Sequence, residues 1–379
     1  MVDESFKEFV MTRLPLLLLA TGLTGCQTAG YYKQAIQGQY QVLKHRQPMS
    51  ELIADPQTPV SLKEKFQLIH KLREFAATEL KLPVNGHYQS YVDLHRRYIV
   101  WNVHAAPEFL LQPKTWWYPV VGSLKYRGYF SEPDAKRYAE RLAGKGFDVF
   151  VDGVEAYSTL GWFKDPVLNT FINHSEPELA ETIFHELAHQ REFVRGDTDF
   201  NEAFATTVGQ EGVRRWLLAS GNSAALEKYQ LALRRNEQFV QLIQATRREL
   251  ESLYGEEKSR ATTNGSMSTA GKRQQKEIII GRLRSNYDQL KAQWSGFNDY
   301  DNWFTQAVNN AQLNTVATYY DMVPTFQRLL QQNNGDLEKF YREVRTLGKL
   351  PKTERHRRLF PAVSTQSEHH SSGFARTAT

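Results

Sequence analysis

One cysteine in 379 residues leaves no partner for an internal disulfide, so nothing in this chain is stapled by an S–S bond. Long hydrophobic runs are also missing. The most apolar stretch, residues 14–20, is too short for a hydrocarbon core of about 30 Å, which takes about 20 apolar residues to cross. No helix-turn-helix, RNA-binding signature or basic stripe with interleaved aromatics is present, so nucleic acid is not the expected partner. Excess charge is confined to one place. The formal net charge is +5, and residues 342–379 alone carry eight Lys or Arg against three Asp or Glu, a difference of five, so the body is near neutral. That basic stretch reads as a surface tail that lies on anionic lipid or keeps the protein soluble.

The chain does have the means to fold. Its hydrophobic fraction of 41% over this length supports one large domain or two smaller ones with true cores, which excludes a disordered or fibrous protein. Aromatic residues reach 12%, a composition suited to a globular protein with an aromatic-lined groove.

Near the start, Arg13 precedes the short apolar run, and small residues then lead to Cys26. This is the build of a signal-peptide core. Leu23-Thr24-Gly25-Cys26 resembles the bacterial lipobox, which implies diacylglycerol on the Cys26 sulfur and cleavage before it. Lipidation explains the lone thiol, and acyl chains at about 0.8 kcal/mol per buried CH₂ anchor a protein without a spanning helix. Gln27 in place of Asp favours the outer membrane, facing the periplasm, in a Gram-negative envelope. Residues 1–10 carry three acids and fit a signal peptide badly, which points to Met11 as the start.

Periodicity organises the rest. Apolar residues at helical intervals predict helices over 31–44, 61–80 and 132–143, with β-like runs at 97–103, 120–121 and 148–151. Residues 157–163 read either as an edge strand able to pair with substrate backbone or as an ordinary strand and turn. Ser175 with Glu178 forms a capping-box pattern that opens a helix, Gly196 stops it, and Asp199 is placed to cap a second helix. Residues 224–295 predict a long helical hairpin with a mobile Gly/Ser/Thr-rich tip. The expected division is a leader over 1–26, a catalytic core over 27–223, the hairpin, a helical part over 296–360, and a disordered tail over 361–379.

Chemistry centres on His185-Glu186-Leu187-Ala188-His189. Residues four apart on a helix differ by about 40° around its axis, so His185 and His189 project from one face and can share a metal ion. Neutral imidazoles suit zinc at about 2.0–2.1 Å, and Glu186 beside them is placed to take a proton from water. Glu202 is the preferred third ligand because it sits at the start of the second helix, on a rigid platform. Asp197 and Asp199 are its rivals, read as a loop residue and a cap. Position 192 is Glu, where the longer histidine motif of metzincins has Gly.

The LTGC, HELAHQ, NEAFA and YSTLGWF segments together resemble a family of predicted bacterial aminopeptidases, lipoprotein zinc metallopeptidases of gluzincin type. The resemblance runs through nearly the whole mature chain and implies zinc-dependent hydrolysis of a peptide or protein substrate. It does not bring the Gly-x-Met-Glu-Asn segment with which familiar zinc aminopeptidases grip a free amino terminus.

Peptide hydrolysis also needs a donor to the developing oxyanion, and Tyr157, Tyr319 and Tyr320 are the candidates. Asp165, Glu181 and Asp321 are candidates to accept from a ligand imidazole. His174 reads as a loop residue, His369 and His370 as tail residues, and His87, His95 and His104 lack ligand spacing. The expected architecture is α+β and predominantly helical: a zincin-like helix pair, a small β-sheet and the hairpin. Two other functions fit the same residues, a periplasmic quality-control endopeptidase and a non-catalytic zinc-binding envelope scaffold.

Overall fold

The computed structural model describes residues 26–119, 121–159, 163–260 and 267–359. The leader, the centre of the hairpin tip and the tail therefore lie outside the described residues, as do Val120 and residues 160–162.

The chain opens with helix α1 (Cys26–Lys44), then β1 (Gln47–Pro48), α2 (Met49–Ala54) and α3 (Val60–Thr78). A β-rich stretch follows: β2 (Ser90–Val92), β3 (Val100–Pro107), β4 (Trp116–Tyr118), β5 (Gly122–Leu124) and β6 (Arg127–Tyr129), then α4 (Glu132–Ala143), β7 (Phe147–Val154) and β8 (Val167–Leu168). The rest is helical: α5 (Glu176–Arg191), α6 (Thr198–Ala219), α7 (Ser223–Arg260), α8 (Thr269–Gln293), α9 (Asn310–Tyr320), α10 (Val323–Gln332), α11 (Leu337–Gly348) and α12 (Lys352–Leu359). The predominantly helical α+β class is thus the observed one, with a helix pair, small sheets and a hairpin.

Three small sheets serve as brackets. In the largest, β3 lies between β6 and β7 and pairs antiparallel with both, from Val100 opposite Val154 to Pro107 opposite Phe147, and with Val103 opposite Arg127. β2 pairs antiparallel with β1 and parallel with β8, so a crossover containing the other sheets separates β2 from β8. β4 and β5 form a two-stranded ribbon.

The main core gathers the inner faces of α3, α5, α6, α10 and α11, with Phe66, Phe184, Phe200, Phe204, Phe326 and Phe340 fully buried. Phe204 stacks on Phe340 at 5.9 Å and meets Phe326 at 6.2 Å, so the apolar face of α6 is fixed against the C-terminal helices. The hairpin α7–α8 has its own core, where Phe239 stacks on Tyr300 at 4.2 Å and Tyr287 on Phe304 at 4.6 Å. Arg247 to Asn314 and Tyr254 to Asn310 hydrogen bonds tie it to α9.

The basic C-terminal stretch is not a free tail where it is described. Arg355 on α12 is buried and donates to the Asp197 carboxylate, which also receives His356 at 2.9 Å and Lys352 at 3.2 Å. The cations are there because Asp197, itself buried, requires a partner. Asp197 is correspondingly no solvated loop residue. Nor does Asp199 cap α6, which starts at Thr198 behind Asp197. The Asp199 carboxylate is turned to Lys125, 2.5 Å away.

Candidate metal centre

Helix α5 starts as its sequence dictates. The Ser175 N–H donates to the Glu178 carboxylate at 3.0 Å, and Pro177 occupies the first turn, where a missing N–H costs nothing. The helix ends at Arg191, and Gly196 at φ +79° turns the chain back, its N–H bonded to the Val121 carbonyl at 3.0 Å. Asn201 then clamps the loop, giving and accepting 2.8 Å hydrogen bonds with the carbonyl and N–H of Val194.

Helix α6 packs on α5 through glycine. A Cβ at Gly212 would meet the Phe184 ring at 2.6 Å, and one at Gly209 would meet the Glu181 carbonyl at 3.2 Å. Bare backbone on this face lets the two helices approach closely, and Glu202, two turns before Gly209 on the same side, is carried to the two histidines.

There His185 Nε2 and His189 Nε2 stand 3.2 Å apart, and Glu202 Oε2 is 3.3 Å from the first and 3.6 Å from the second. Donors about 2.0–2.1 Å from a tetrahedral ion lie about 3.3–3.4 Å from one another. The three atoms thus sit at the spacing of ligands around one small dication, and among the described residues they are the group of His, Cys, Asp and Glu so arranged. The donor chemistry fits too. Two imidazole lone pairs and a carboxylate oxygen facing one point repel unless a cation lies between them, and two nitrogens with one oxygen suit zinc.

Burial pushes the Glu202 carboxyl up, but the charges and hydrogen bonds of His189 and His185 outweigh it and hold the group down at about 2. Glu186 behaves in the opposite way. Burial, with the nearby Glu202 and Asp165 carboxylates, pushes it up to about 8 despite the opposing pull of His185. A carboxyl so poised has proton affinity near neutral pH, as a base for water requires.

The three donors and Glu186 line a cavity of about 430 Å³. Tyr157 and Tyr319 also line it, but they differ in availability. The Tyr157 hydroxyl donates to the Gln39 side chain on α1, so its proton is already committed. Burial and the Glu202 and Glu186 charges hold Tyr319 protonated, the Glu202 charge acting most strongly. Tyr320 points elsewhere: it packs into the core and is influenced by Glu181 and Asn236, which removes it as an oxyanion donor at this site. Tyr126, which sequence reasoning missed, lines the cavity just before β6, and burial with the Glu202 and Glu186 charges holds its phenol protonated.

The proposed outer acceptors do not reach the imidazoles. Glu181 accepts from Tyr229 at 2.8 Å, Asp321 from Gln244 at 2.9 Å, and the His189 Nδ1 is buried with no partner among the described residues. Asp165 instead anchors the cleft wall. It accepts from Thr159 Oγ1 at 2.5 Å and from Gln190 at 3.4 Å, while Gln190 also donates to Ser158 at 2.6 Å. Residues 157–159 are not a strand; these bonds strap them to α5 as an irregular wall. The other histidines pair locally, His174 with Glu155 at 2.9 Å, His87 with Asp165 at 3.3 Å, and His104 with Asp152 at 2.9 Å.

No match emerges from comparison with curated proteins or with solved structures. One family does match, over residues 30–359, a span that contains the helix pair, the hairpin and every cavity residue named above. Its description is "Putative aminopeptidase", and over most of its length the chain belongs to that family.

Proposed function

We propose that this protein is a zinc-dependent peptidase that removes residues from peptide amino termini, held at a bacterial envelope by lipid on Cys26. The observation that carries the catalytic reading is the convergence of His185, His189 and Glu202 within 3.2–3.6 Å of one another, with Glu186 on the wall of the same cavity. The family match supports peptidase chemistry.

His185, His189 and Glu202 would hold the zinc, which when bound would supply Lewis acidity toward a peptide carbonyl and toward water. Glu186, ionised once a dication sits beside it, takes the proton from the attacking water and delivers it to the departing amine. The oxyanion that develops on the carbonyl needs a donor, and the protonated phenols of Tyr319 and Tyr126 face the cavity in which it forms. Helix α6 carries Glu202, His189 and His185 favour its ionised form, and the Asn201 clamp holds the loop between the helices.

The anchor rests on sequence. Cys26 ends the LTGC segment, and among the described residues no helix is long and apolar enough to cross a membrane. Metabolic labelling with palmitate, compared with Cys26→Ser, tests it: label in the wild type only is expected, and an unlabelled wild type defeats it.

For the chemistry, metal content and hydrolysis of aminoacyl-naphthylamides are measured beside unfolded casein, in the wild type and in Glu186→Gln. Stoichiometric zinc with release of naphthylamine that vanishes in the variant is expected. Casein cleavage alone would point to an endopeptidase, and bound zinc without turnover dependent on Glu186 to a scaffold.

A further inference from the structure

Helix α1 contributes a stripe of side chains to the catalytic cleft. Tyr31 and Ala35 line the cavity, and Gln34, Gly38 and Gln39 lie on the same helical face at spacings of three and four. Each docks on the wall around it. The Phe130 N–H donates to Gln34 Oε1 at 2.9 Å, and Gln39 accepts from Tyr157. Gly38 sits so close that a Cβ there would fall 2.1 Å from the Phe130 ring. The Arg127 guanidinium lies 3.9 Å above the Tyr31 ring, which also meets Tyr129 at 5.5 Å. The helix is built into the cleft as one of its walls.

The remaining lining is uncharged. Val100, Leu124, Phe130, Val154 and Phe193 line it beside neutral polar groups such as Asn102, Ser158 and Asn201, and among the described lining residues the ionisable groups besides tyrosine are His185, Glu186, His189 and Glu202, all belonging to the proposed centre. A second cavity of about 380 Å³ departs from the same His185 and Glu186 but is lined by Glu155, Glu178 and Glu181. The first cavity thus offers a substrate side chain no counter-charge outside the proposed centre, whereas in the second His174 pairs with Glu155 at 2.9 Å.

We infer that the cavity closed by helix α1 is a specificity pocket for a bulky, uncharged side chain of the substrate residue next to the scissile bond, leucine or phenylalanine in kind. The inference rests on the proposed metal centre and names the substrate class it serves. Burying an unpaired charge costs far more than burying an alkyl chain, so the pocket discriminates by charge first and by size second.

The test is binding of amino-acid hydroxamates to the zinc-loaded full chain by calorimetry. Acetohydroxamate, which has no side chain, reads the metal centre alone. Leucine and phenylalanine hydroxamates are expected to bind at least about 30-fold more tightly than those of lysine and glutamate. Ala35→Trp, which fills the pocket from the α1 side, is expected to weaken leucine hydroxamate at least about 10-fold, with acetohydroxamate unchanged. Equal affinities across the series, or preference for a charged member, overturn the pocket while acetohydroxamate binding leaves the metal centre standing. Loss of binding by every hydroxamate overturns both. An unchanged leucine hydroxamate affinity in folded Ala35→Trp removes helix α1 as the wall, and if that variant does not fold, the wild-type series decides.

Discussion

Gly209 of α6 faces His185 of α5 with little room for a side chain: a Cβ there would stand 3.5 Å from the His185 Cβ and 3.2 Å from the Glu181 carbonyl. The distance between the two helices is the distance between two of the proposed ligands and the third. Replacing Gly209 by Ala adds about 1 kcal/mol of helix propensity against this crowding. Valine adds two branches that must push the helices apart. Gly209→Val is expected to lose about 1–3 kcal/mol of stability. It should also bind zinc at least about 10-fold more weakly, the scale on which displaced support costs a metal site. Zinc competition against a fluorescent chelator reads the affinity, and a wild-type value would show that the glycine does not set the ligand spacing.

Glu186 makes zinc binding a proton-releasing event. Its carboxyl, pushed up to about 8 by burial and by Glu202 and Asp165, is mostly protonated in the metal-free chain at pH 7. A dication on the neighbouring ligands favours the carboxylate, so the proton leaves as zinc binds. Calorimetry at pH 7 in buffers of different ionisation enthalpy should find nearly one more proton released by the wild type than by Glu186→Gln. The sign extends to stability. A carboxyl whose folded pKa exceeds its unfolded value contributes fully below about 4.5, and the contribution is lost as pH rises through about 8. Metal-free wild type should therefore weaken between about pH 4.5 and 8 relative to Glu186→Gln, as urea titrations would report. Identical slopes would mean that Glu186 does not carry the proton.

Asp197 fastens the C-terminal helix to the loop between the proposed ligand helices. Burial opposes its charge, but His356, Lys352 and Arg355 together hold the carboxyl below its ordinary value. Removing Arg355 leaves the buried carboxylate only the more exposed Lys352 and His356, a loss of up to about 3–5 kcal/mol, the cost of stranding a buried charge. Arg355→Met should unfold at lower denaturant by that order and open residues 350–359 to protease. Because the folded pKa is depressed, the contribution is present above about 4 and disappears as pH falls through the folded value. The difference between wild type and Arg355→Met should then shrink below about pH 4, and a gap that is constant with pH would contradict the ion pair.

How much of this was written in the sequence depends on the range of the interaction involved. His185 and His189 are four apart on one helix, and Glu202 opens the next, so local periodicity brings all three into view. Gly209 and Gly212 are visible signals of close helix packing, but their meaning appears only once Phe184 is seen against them. Asp197 was misjudged because its partner Arg355 is 158 residues away, and the same need for a buried counter-charge turned an expected basic tail into a docked helix. Tyr126 was missed, and Tyr320 was set beside Tyr157 and Tyr319 as a candidate, for a related reason. Which tyrosine reaches the cavity follows from how β6 pairs with β3 and how α9 rotates on its Asn310 anchor, whose side chain donates to the Pro107 and Glu108 carbonyls.

The two cavity phenols can be told apart by kinetics. Tyr319 and Tyr126 both keep their protons, and among the described residues neither hydroxyl is committed as that of Tyr157 is to Gln39. A donor to the oxyanion acts only as negative charge develops, so its removal lowers kcat with little effect on KM. Losing one such donor typically costs about 10²–10³ in kcat. Replacing Tyr319 and Tyr126 singly by Phe preserves the ring packing and removes only the hydroxyl. One of the two variants should show that loss on a leucyl substrate with zinc content intact, while Tyr157→Phe and Tyr320→Phe stay within about 5-fold of the wild type, as loss of a neutral hydrogen bond of about 1 kcal/mol would dictate. If neither Tyr319→Phe nor Tyr126→Phe lowers kcat, the oxyanion has another donor. If Tyr157→Phe lowers it instead, the bond to Gln39 must break during turnover.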